Sequence, residues 1–136
     1  MFIDASALVS IIANEPDGAA LRVKMRGTKH RHISGLVVYE TVLALIRIKG
    51  KSRAETLAEV NEFISRNAIK FVSPAIDQDL SELALEAFEK FGKGNKTNTR
   101  ARLNLGDCFA YACAKRLKQP LLFKGNDFEE TDIPKA

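Results

Sequence analysis

Hydrophobic positions along the chain fall into short apolar runs that alternate with longer stretches of helical periodicity. The apolar runs predict strands over residues 1–5, 31–34, 69–72 and 121–123. The periodic stretches predict helices over residues 6–13, 17–26, 36–48, 53–65 and 77–91, with a last helix within 103–115. Strands that alternate with helices favour an α/β fold, in which a short parallel sheet is covered by helices on both faces.

The last predicted helix combines an apolar stripe with an isolated carboxylate. The stripe has the three- and four-residue spacing of a buried helix face, which predicts burial of Leu105, Phe109, Ala112 and Cys113. Asp107 has no basic residue three or four positions away, so no neighbour on its own helix can neutralise its charge. Asp107 therefore either helps to start the helix or faces a group outside it.

The length of 136 residues predicts a single domain over residues 1–136. No apolar run is long enough to cross a bilayer, and Met1 to Asp4 lacks the charged-then-apolar layout of a signal peptide. We therefore expect a cytoplasmic protein without a membrane partner. Cys108 and Cys113 lie five positions apart in one helix and lack the spacing of metal ligands, which predicts two buried, unpaired core residues.

Four carboxylates do not fit the apolar segments around them. Asp4 ends the first strand and Asp127 follows the last one, at the side of an open α/β sheet where ligands bind. Glu40 lies in the most apolar helix, with only apolar residues three and four positions away. Asp107 is the fourth. Crowded carboxylates without basic partners repel one another, and a divalent cation is one usual remedy. Oxygen ligands without nearby His or Cys indicate Mg²⁺ or Mn²⁺.

Each of these carboxylates also has a structural explanation. Asp4 could cap the helix that begins near Ser6, and Asp107 could interact with a helix dipole. Asp127 lies in a Gly-Asn-Asp sequence that is typical of turns. Glu40 could point to solvent or reach a distant base such as Arg47. The functional interpretation depends on whether the fold brings all four together.

Three of the carboxylates lie in the motifs Phe-Ile-Asp-Ala-Ser at 2–6, Leu-Asn-Leu-Gly-Asp-Cys at 103–108 and Phe-Lys-Gly-Asn-Asp-Phe at 123–128. These motifs, together with Glu40 near the start of an apolar helix, resemble the acidic positions of PIN-domain ribonucleases, and most closely those of VapC-type toxins of type II toxin–antitoxin pairs. The resemblance covers nearly the whole chain. It implies a PIN-like three-layer fold and a Mg²⁺-dependent endoribonuclease that acts as a toxin.

The resemblance also implies roles for single residues and partners for the chain. Asp4, Glu40 and Asp107 would coordinate the metal, Asp127 would complete the pocket, and Ser6 would be a polar residue that supports the ligands. The implied partners are RNA, a cognate antitoxin and a second copy of the chain, in a homodimer that could form a heterotetramer or a larger assembly with the antitoxin. The apolar surplus in helices 7–13, 36–48 and 53–65 either meets such partners or belongs to the core.

The charge pattern agrees with a polyanionic substrate. The chain has 21 basic and 17 acidic side chains, so setting the four carboxylates aside leaves 13 acids and a positive remaining surface. The candidate phosphate contacts are Lys93, Lys96, Arg100, Arg102 and Lys124. The alternative is that these side chains are solvated loop residues that do not contact RNA. Few aromatic residues interleave with these bases, which argues against base stacking and favours recognition of RNA shape or of a single-stranded loop. The basic run that contains His30 and His32 is predicted to be a solvent-exposed segment leading into the second strand.

Two other functions remain open on sequence grounds. An aspartyl phosphotransferase with Asp4 as nucleophile would need a second acid two residues on, where this chain has Ser6. A receiver-like binding or interaction module could use the acids only to hold a cation. Replacement of Asp4 or Asp107 by Asn distinguishes a nuclease from such a module, because only a nuclease would lose RNA cleavage.

Overall fold

Four two-residue strands form one parallel sheet in a computed structural model of the chain, which describes residues 1–72, 77–94 and 101–136. The strand order is β3-β2-β1-β4, and the strands are β1 (Phe2–Ile3), β2 (His32–Ile33), β3 (Lys70–Phe71) and β4 (Leu121–Leu122). Phe2 pairs with His32 on one side and with Leu121 on the other. The chain therefore moves outward from β1 to β3, and then returns to place β4 on the opposite side of β1.

The six predicted helices are present, with ends within about two residues of those expected from periodicity. They are α1 (Ala5–Ile12), α2 (Gly18–Arg26), α3 (Gly35–Lys49), α4 (Arg53–Arg66), α5 (Gln78–Phe91) and α6 (Leu105–Arg116). This arrangement confirms the α/β fold with a short parallel sheet. In the part of the chain that the structure describes, no helix has the length and apolar run needed to span a bilayer.

Side-chain caps explain where several helices begin. Ser52 and Glu55 form both hydrogen bonds of a capping box at the start of α4. The Asp77 carboxylate accepts a hydrogen bond from the Leu80 N–H at 2.9 Å at the start of α5. Asp17 occupies the cap position of α2 but makes no side-chain capping bond there. The capping bonds of Ser52 and Asp77 thus determine where α4 and α5 begin.

The surplus of apolar residues in α1 belongs to the core, because Leu8 and Ile11 are fully buried among other hydrophobic side chains. Helix α3 instead exposes Tyr39 (61%) and Leu43 (37%). Within the described residues, α4 exposes no large hydrophobic side chain. Of the three helices expected to carry an interface, only α3 thus retains an exposed apolar face.

The stripe predicted for α6 is partly wrong. Ala112 and Cys113 are buried and Phe109 is half-buried, but Leu105 is 73% exposed. Leu105 is the first residue of α6, and at this end α5 and α6 leave between them an apolar groove of about 340 Å³ that Leu105 lines instead of filling. Both cysteines are buried and unpaired, as predicted.

The segment after β4 is fixed to the rest of the molecule at two places. The Leu121 N–H donates to the Pro134 carbonyl at 2.8 Å, so this segment covers the outer edge of β4. The buried Tyr111 hydroxyl of α6 donates to the Asp132 carboxylate and accepts from Lys115 Nζ at 2.6 Å. These contacts hold in place the loop that carries Asp127.

Candidate metal centre

An acidic cavity of about 370 Å³ lies at the carboxyl ends of β1 and β4. All four carboxylates singled out in the sequence line it: Asp4, Glu40, Asp107 and Asp127. Because β4 lies next to β1, the segments that follow these two strands reach the same edge of the sheet. The fold thus brings together four acids that are far apart in the sequence.

Asp4 both caps α1 and lines the cavity. Its Oδ2 accepts a hydrogen bond from the Ser6 N–H at 2.8 Å and a second from the Ser6 hydroxyl. Burial raises the pKa of Asp4, the bonds from Ser6 oppose this rise, and the charge of Asp127 adds to it. The capping role considered for Asp4 is therefore real and coexists with its place in the cavity.

Asp107 enters the cavity through the capping box that starts α6. Its N–H donates to Asn104 Oδ1 at 3.0 Å, and the Asn104 N–H donates to Asp107 Oδ2 at 2.8 Å. Burial raises the pKa of Asp107 to about 6, against the Asn104 backbone hydrogen bond and with the added charges of Asp4 and Asp127. Among the described residues no ion pair joins Asp107 to a base, in line with its isolation in the sequence.

Glu40 reaches the cavity from α3 across the backbone of α6. A Cβ atom added to Gly106 would lie 2.0 Å from Glu40 Oε1, so this carboxylate occupies space that only a glycine leaves free. Burial raises the pKa of Glu40 to about 7, helped by the charges of Asp4 and Asp107. Among the described residues no ion pair joins Glu40 to Arg47 or to another base.

Four further polar residues line the cavity: Ser6, Glu15, Asn104 and Lys124. Sequence reasoning assigned two of them, Ser6 and Lys124, to the site. The Lys124 N–H donates to Ser6 Oγ at 3.0 Å, and its Nζ lies 2.8 Å from Glu15 Oε2. Glu15 begins the sequence Glu-Pro-Asp-Gly, which by itself predicts only a turn that ends a helix. Asn104 was quoted within a motif, and its three-residue spacing from Asp107 was the available signal of a capping box.

Of the other predicted RNA contacts, Lys93 and Arg102 do not line the cavity. Lys93 and Arg102 are exposed next to Gly92 and Leu103, which pair across the base of their loop. Lys96 and Arg100 lie outside the described residues. His32 Nδ1 is 2.7 Å from Gln119 Oε1, a contact that ties β2 to the segment before β4.

The donor atoms of the cavity suit a hard divalent cation. The four acids offer only carboxylate oxygens, the ligand type that Mg²⁺ and Mn²⁺ prefer. Among residues 1–72, 77–94 and 101–136, no three acidic, His or Cys side chains already converge closely enough to share one ion. The ligand type and the negative charge of these residues therefore suit such an ion. To coordinate it together, the carboxylates must turn towards one another.

Comparisons with known proteins agree with this arrangement. A PIN domain family model matches residues 1–134. VapC ribonuclease Mb0640 of Mycobacterium bovis is 38% identical over 133 residues, which are 98% of this chain and 95% of that protein. VapC ribonuclease R02377 of Rhizobium meliloti is 36% identical over 141 residues, covering 97% and 98% of the two chains.

A solved structure is similar in fold at much lower sequence identity. It is the crystal structure of Mycobacterium tuberculosis VapC20, a sarcin-ricin loop cleaving toxin, with a TM-score of 0.73 and 16% identity over 99% of this chain and 97% of that one. The family model matches almost every residue, and both relatives are more than 30% identical over at least 95% of their length. The chain belongs to the PIN-domain family, within its VapC ribonuclease branch.

Proposed function

We propose that the chain is a metal-dependent endoribonuclease and acts as the toxin of a toxin–antitoxin pair, with residues 1–136 as a single nuclease domain. The observation that carries this proposal is the meeting of Asp4, Glu40, Asp107 and Asp127 in one cavity. Burial and mutual repulsion raise the pKa values of the first three. The VapC relatives are named ribonucleases, which supports RNA as the substrate.

In this proposal Asp4, Glu40 and Asp107 hold Mg²⁺ or Mn²⁺, and Asp127 completes the pocket. A bound ion would supply an activated water and offset charge on the leaving oxygen during phosphodiester hydrolysis. Ser6 orients Asp4 through its two hydrogen bonds to Oδ2. Glu40 keeps its proton up to about pH 7 and Asp107 up to about pH 6, and each would release it as a cation binds.

RNA would approach the cavity across a positive surface. Phosphate contacts are assigned to Lys93, Arg102 and Lys124, and also to Lys96 and Arg100, which lie outside the described residues. VapC20 cleaves the sarcin-ricin loop, so a structured RNA loop is the substrate type that this similarity favours. We place the reaction in the cytoplasm, where such RNA is found.

The proposed protein partners are a cognate antitoxin and a second copy of the chain. Exposed apolar side chains support a homodimer: Tyr39 and Leu43 lie on α3, and Leu85, Phe88 and Leu105 lie along the groove between α5 and α6. The antitoxin would complete a heterotetramer or a larger assembly. Light scattering should give twice the mass of the chain, and a monomer at micromolar concentration would contradict the homodimer.

The test of the nuclease is cleavage of total RNA with Mg²⁺ or with a chelator, followed by mapping of the cut ends. Chelation should stop cleavage, and Asp4→Asn or Asp107→Asn should lower its rate at least about a hundredfold, since even an outer-shell partner of a metal is worth 10–100-fold. Asp79→Asn, an exposed acid on α5, is the matched control and should cleave normally. Cation binding without cleavage in the wild type would instead favour a binding module.

A further inference from the structure

One basic side chain lines the acidic cavity among the described residues, and it does not pair with the four proposed metal ligands. Lys124 Nζ instead lies 2.8 Å from Glu15 Oε2 and 4.0 Å from Asp17 Oδ2. The hydrogen bond and charge of Lys124 lower the pKa of Glu15. The ammonium is thus held at the edge of the cavity by an acid that sequence reasoning placed only in a turn.

Both ends of this ion pair are anchored by the backbone. The Lys124 N–H donates to Ser6 Oγ, which in turn donates to Asp4 Oδ2, so Lys124 begins next to the proposed ligands. The Glu15 N–H donates to the Ser10 carbonyl at 3.0 Å. Gly18 closes the same turn, since a Cβ there would lie 2.4 Å from that carbonyl oxygen. The backbone therefore fixes Glu15 at the rim of the cavity beside Lys124.

An ammonium on a flexible four-carbon stem is attracted by crowded carboxylates. The Lys124 backbone is separated from Asp4 only by the Ser6 hydroxyl, which bonds to both. Without a partner at the edge of the cavity, the Lys124 ammonium would therefore neutralise part of the carboxylate charge that binds a divalent cation. Glu15 supplies a competing carboxylate that is only one-third exposed, so its attraction is screened less than that of a surface acid.

We propose that Glu15 is a positioning residue, which holds the Lys124 ammonium at the rim of the cavity and so keeps it from occupying the site of the divalent cation. The inference rests on the proposed metal-dependent function. At the rim, Lys124 can contact a phosphate of the RNA while the four carboxylates stay available to the metal.

The test is calorimetric titration of the full chain with Mg²⁺ alone, in the absence of RNA. Glu15→Gln should weaken Mg²⁺ binding about tenfold, the lower end of what loss of an outer-shell partner costs. The double variant Glu15→Gln with Lys124→Met should bind Mg²⁺ within about twofold of wild type, since no ammonium remains to compete. Asp17→Asn is the matched control, because Asp17 lies farther from the same ammonium and does not line the cavity; its Mg²⁺ affinity should not change.

Two results would overturn the proposal: wild-type affinity in Glu15→Gln, or a double variant as weak as Glu15→Gln, which would make Glu15 itself a ligand. If Glu15→Gln does not fold, Lys124→Met and the double variant still decide the question, because their affinities should be equal. A wild-type chain that binds no Mg²⁺ would instead refute the metal-dependent function, so the two failures are distinguishable.

Discussion

Single carboxylates in this cavity serve two structural purposes at once. Asp4 caps α1 through Oδ2, and Asp107 closes the capping box of α6 through Oδ2, while both line the acidic cavity. Helix N-termini carry partial positive charge and unpaired N–H groups, so they stabilise carboxylates that would otherwise be isolated. Capping and metal binding are thus compatible roles for these residues, although the sequence presented them as alternatives.

The raised pKa values predict that the metal-free protein loses stability as pH rises. Glu40 has a pKa of about 7 instead of 4.5 and Asp107 about 6 instead of 3.8, so the folded state binds more protons than the unfolded state between these values. Their stabilising contribution is complete below about pH 4 and is lost as pH rises through 6 and 7. The melting temperature in chelator should therefore fall by about 4 °C from pH 5 to pH 8, which corresponds to a loss of about 1 kcal/mol in the free energy of unfolding for a domain of this size.

Two comparisons check the origin of this pH dependence. Saturating Mg²⁺ should raise the melting temperature at pH 8 and flatten the profile, because the cation replaces the lost protons. Asp107→Asn keeps an oxygen for the Asn104 N–H and removes one charge, so it should melt about 3 °C higher than wild type at pH 8 in chelator. A profile that rises with pH, or an Asn variant that melts lower, would contradict the crowding of these acids.

Glu15 shows why part of the site could not be predicted from the sequence. Asp107 and Glu40 could be recognised because neither has a basic residue three or four positions away in its helix, and Asp4 and Asp127 because they follow apolar strands. Glu15 gave no such signal, since its sequence Glu-Pro-Asp-Gly is sufficient to explain a turn. Its partner Lys124 is brought to it only by the pairing of β4 with β1, a tertiary contact that no local pattern encodes.

Among the helices, the contact of α3 with α6 determines where Glu40 lies. The absence of a side chain at Gly106 makes room for the Glu40 carboxylate. Gly106→Ala should displace this carboxylate, lower cleavage at least about tenfold and weaken stabilisation by Mg²⁺. The fold should survive, because the displaced group is the end of a flexible side chain and Ala favours a helix over Gly by about 1 kcal/mol. Cleavage rates and melting curves of the same preparation separate these effects.

The attachment of the C-terminal segment to α6 gives a stability prediction. Tyr111 is 1% exposed, and its hydroxyl connects Lys115 to Asp132. Tyr111→Phe should lower the free energy of unfolding by about 1–2 kcal/mol, because a charge-assisted hydrogen bond is lost while the ring stays in place. Tyr39→Phe, at a site 61% exposed, should leave the urea midpoint unchanged. Equal midpoints for both variants would show that this attachment contributes little.

Helix positions were predictable to the extent that local signals determine them. Ser52 with Glu55, and Asp77, mark helix starts by capping chemistry that depends on neighbours in the sequence. The burial of Leu105 was predicted wrongly because periodicity gives the direction of a side chain but not how closely a second helix approaches it. At that end of α6 the distance to α5 determines whether Leu105 is buried. This distance depends on how all the helices pack together and not on the local sequence.

For the whole molecule, charge is divided between an acidic cavity and a basic exterior. RNA binding, measured in Ca²⁺ to suppress cleavage, should therefore weaken linearly with the logarithm of salt concentration. Lys93→Gln and Arg102→Gln should each lower that slope by about one, the effect of removing one phosphate contact. Lys70→Gln, on the edge strand β3, is the control. Unchanged slopes would exclude Lys93 and Arg102 from the RNA path.

The pairing of β1 with β4 also has a consequence for the order in which the cavity can be completed during synthesis. Asp4 is translated before Asp127 and far from it in the sequence, and the edge that joins them forms only when Leu121 pairs with Phe2. A nascent chain still lacking β4 would carry its acids on an incomplete sheet. The four acids therefore cannot gather in one cavity before β4 has been synthesised and has paired with β1.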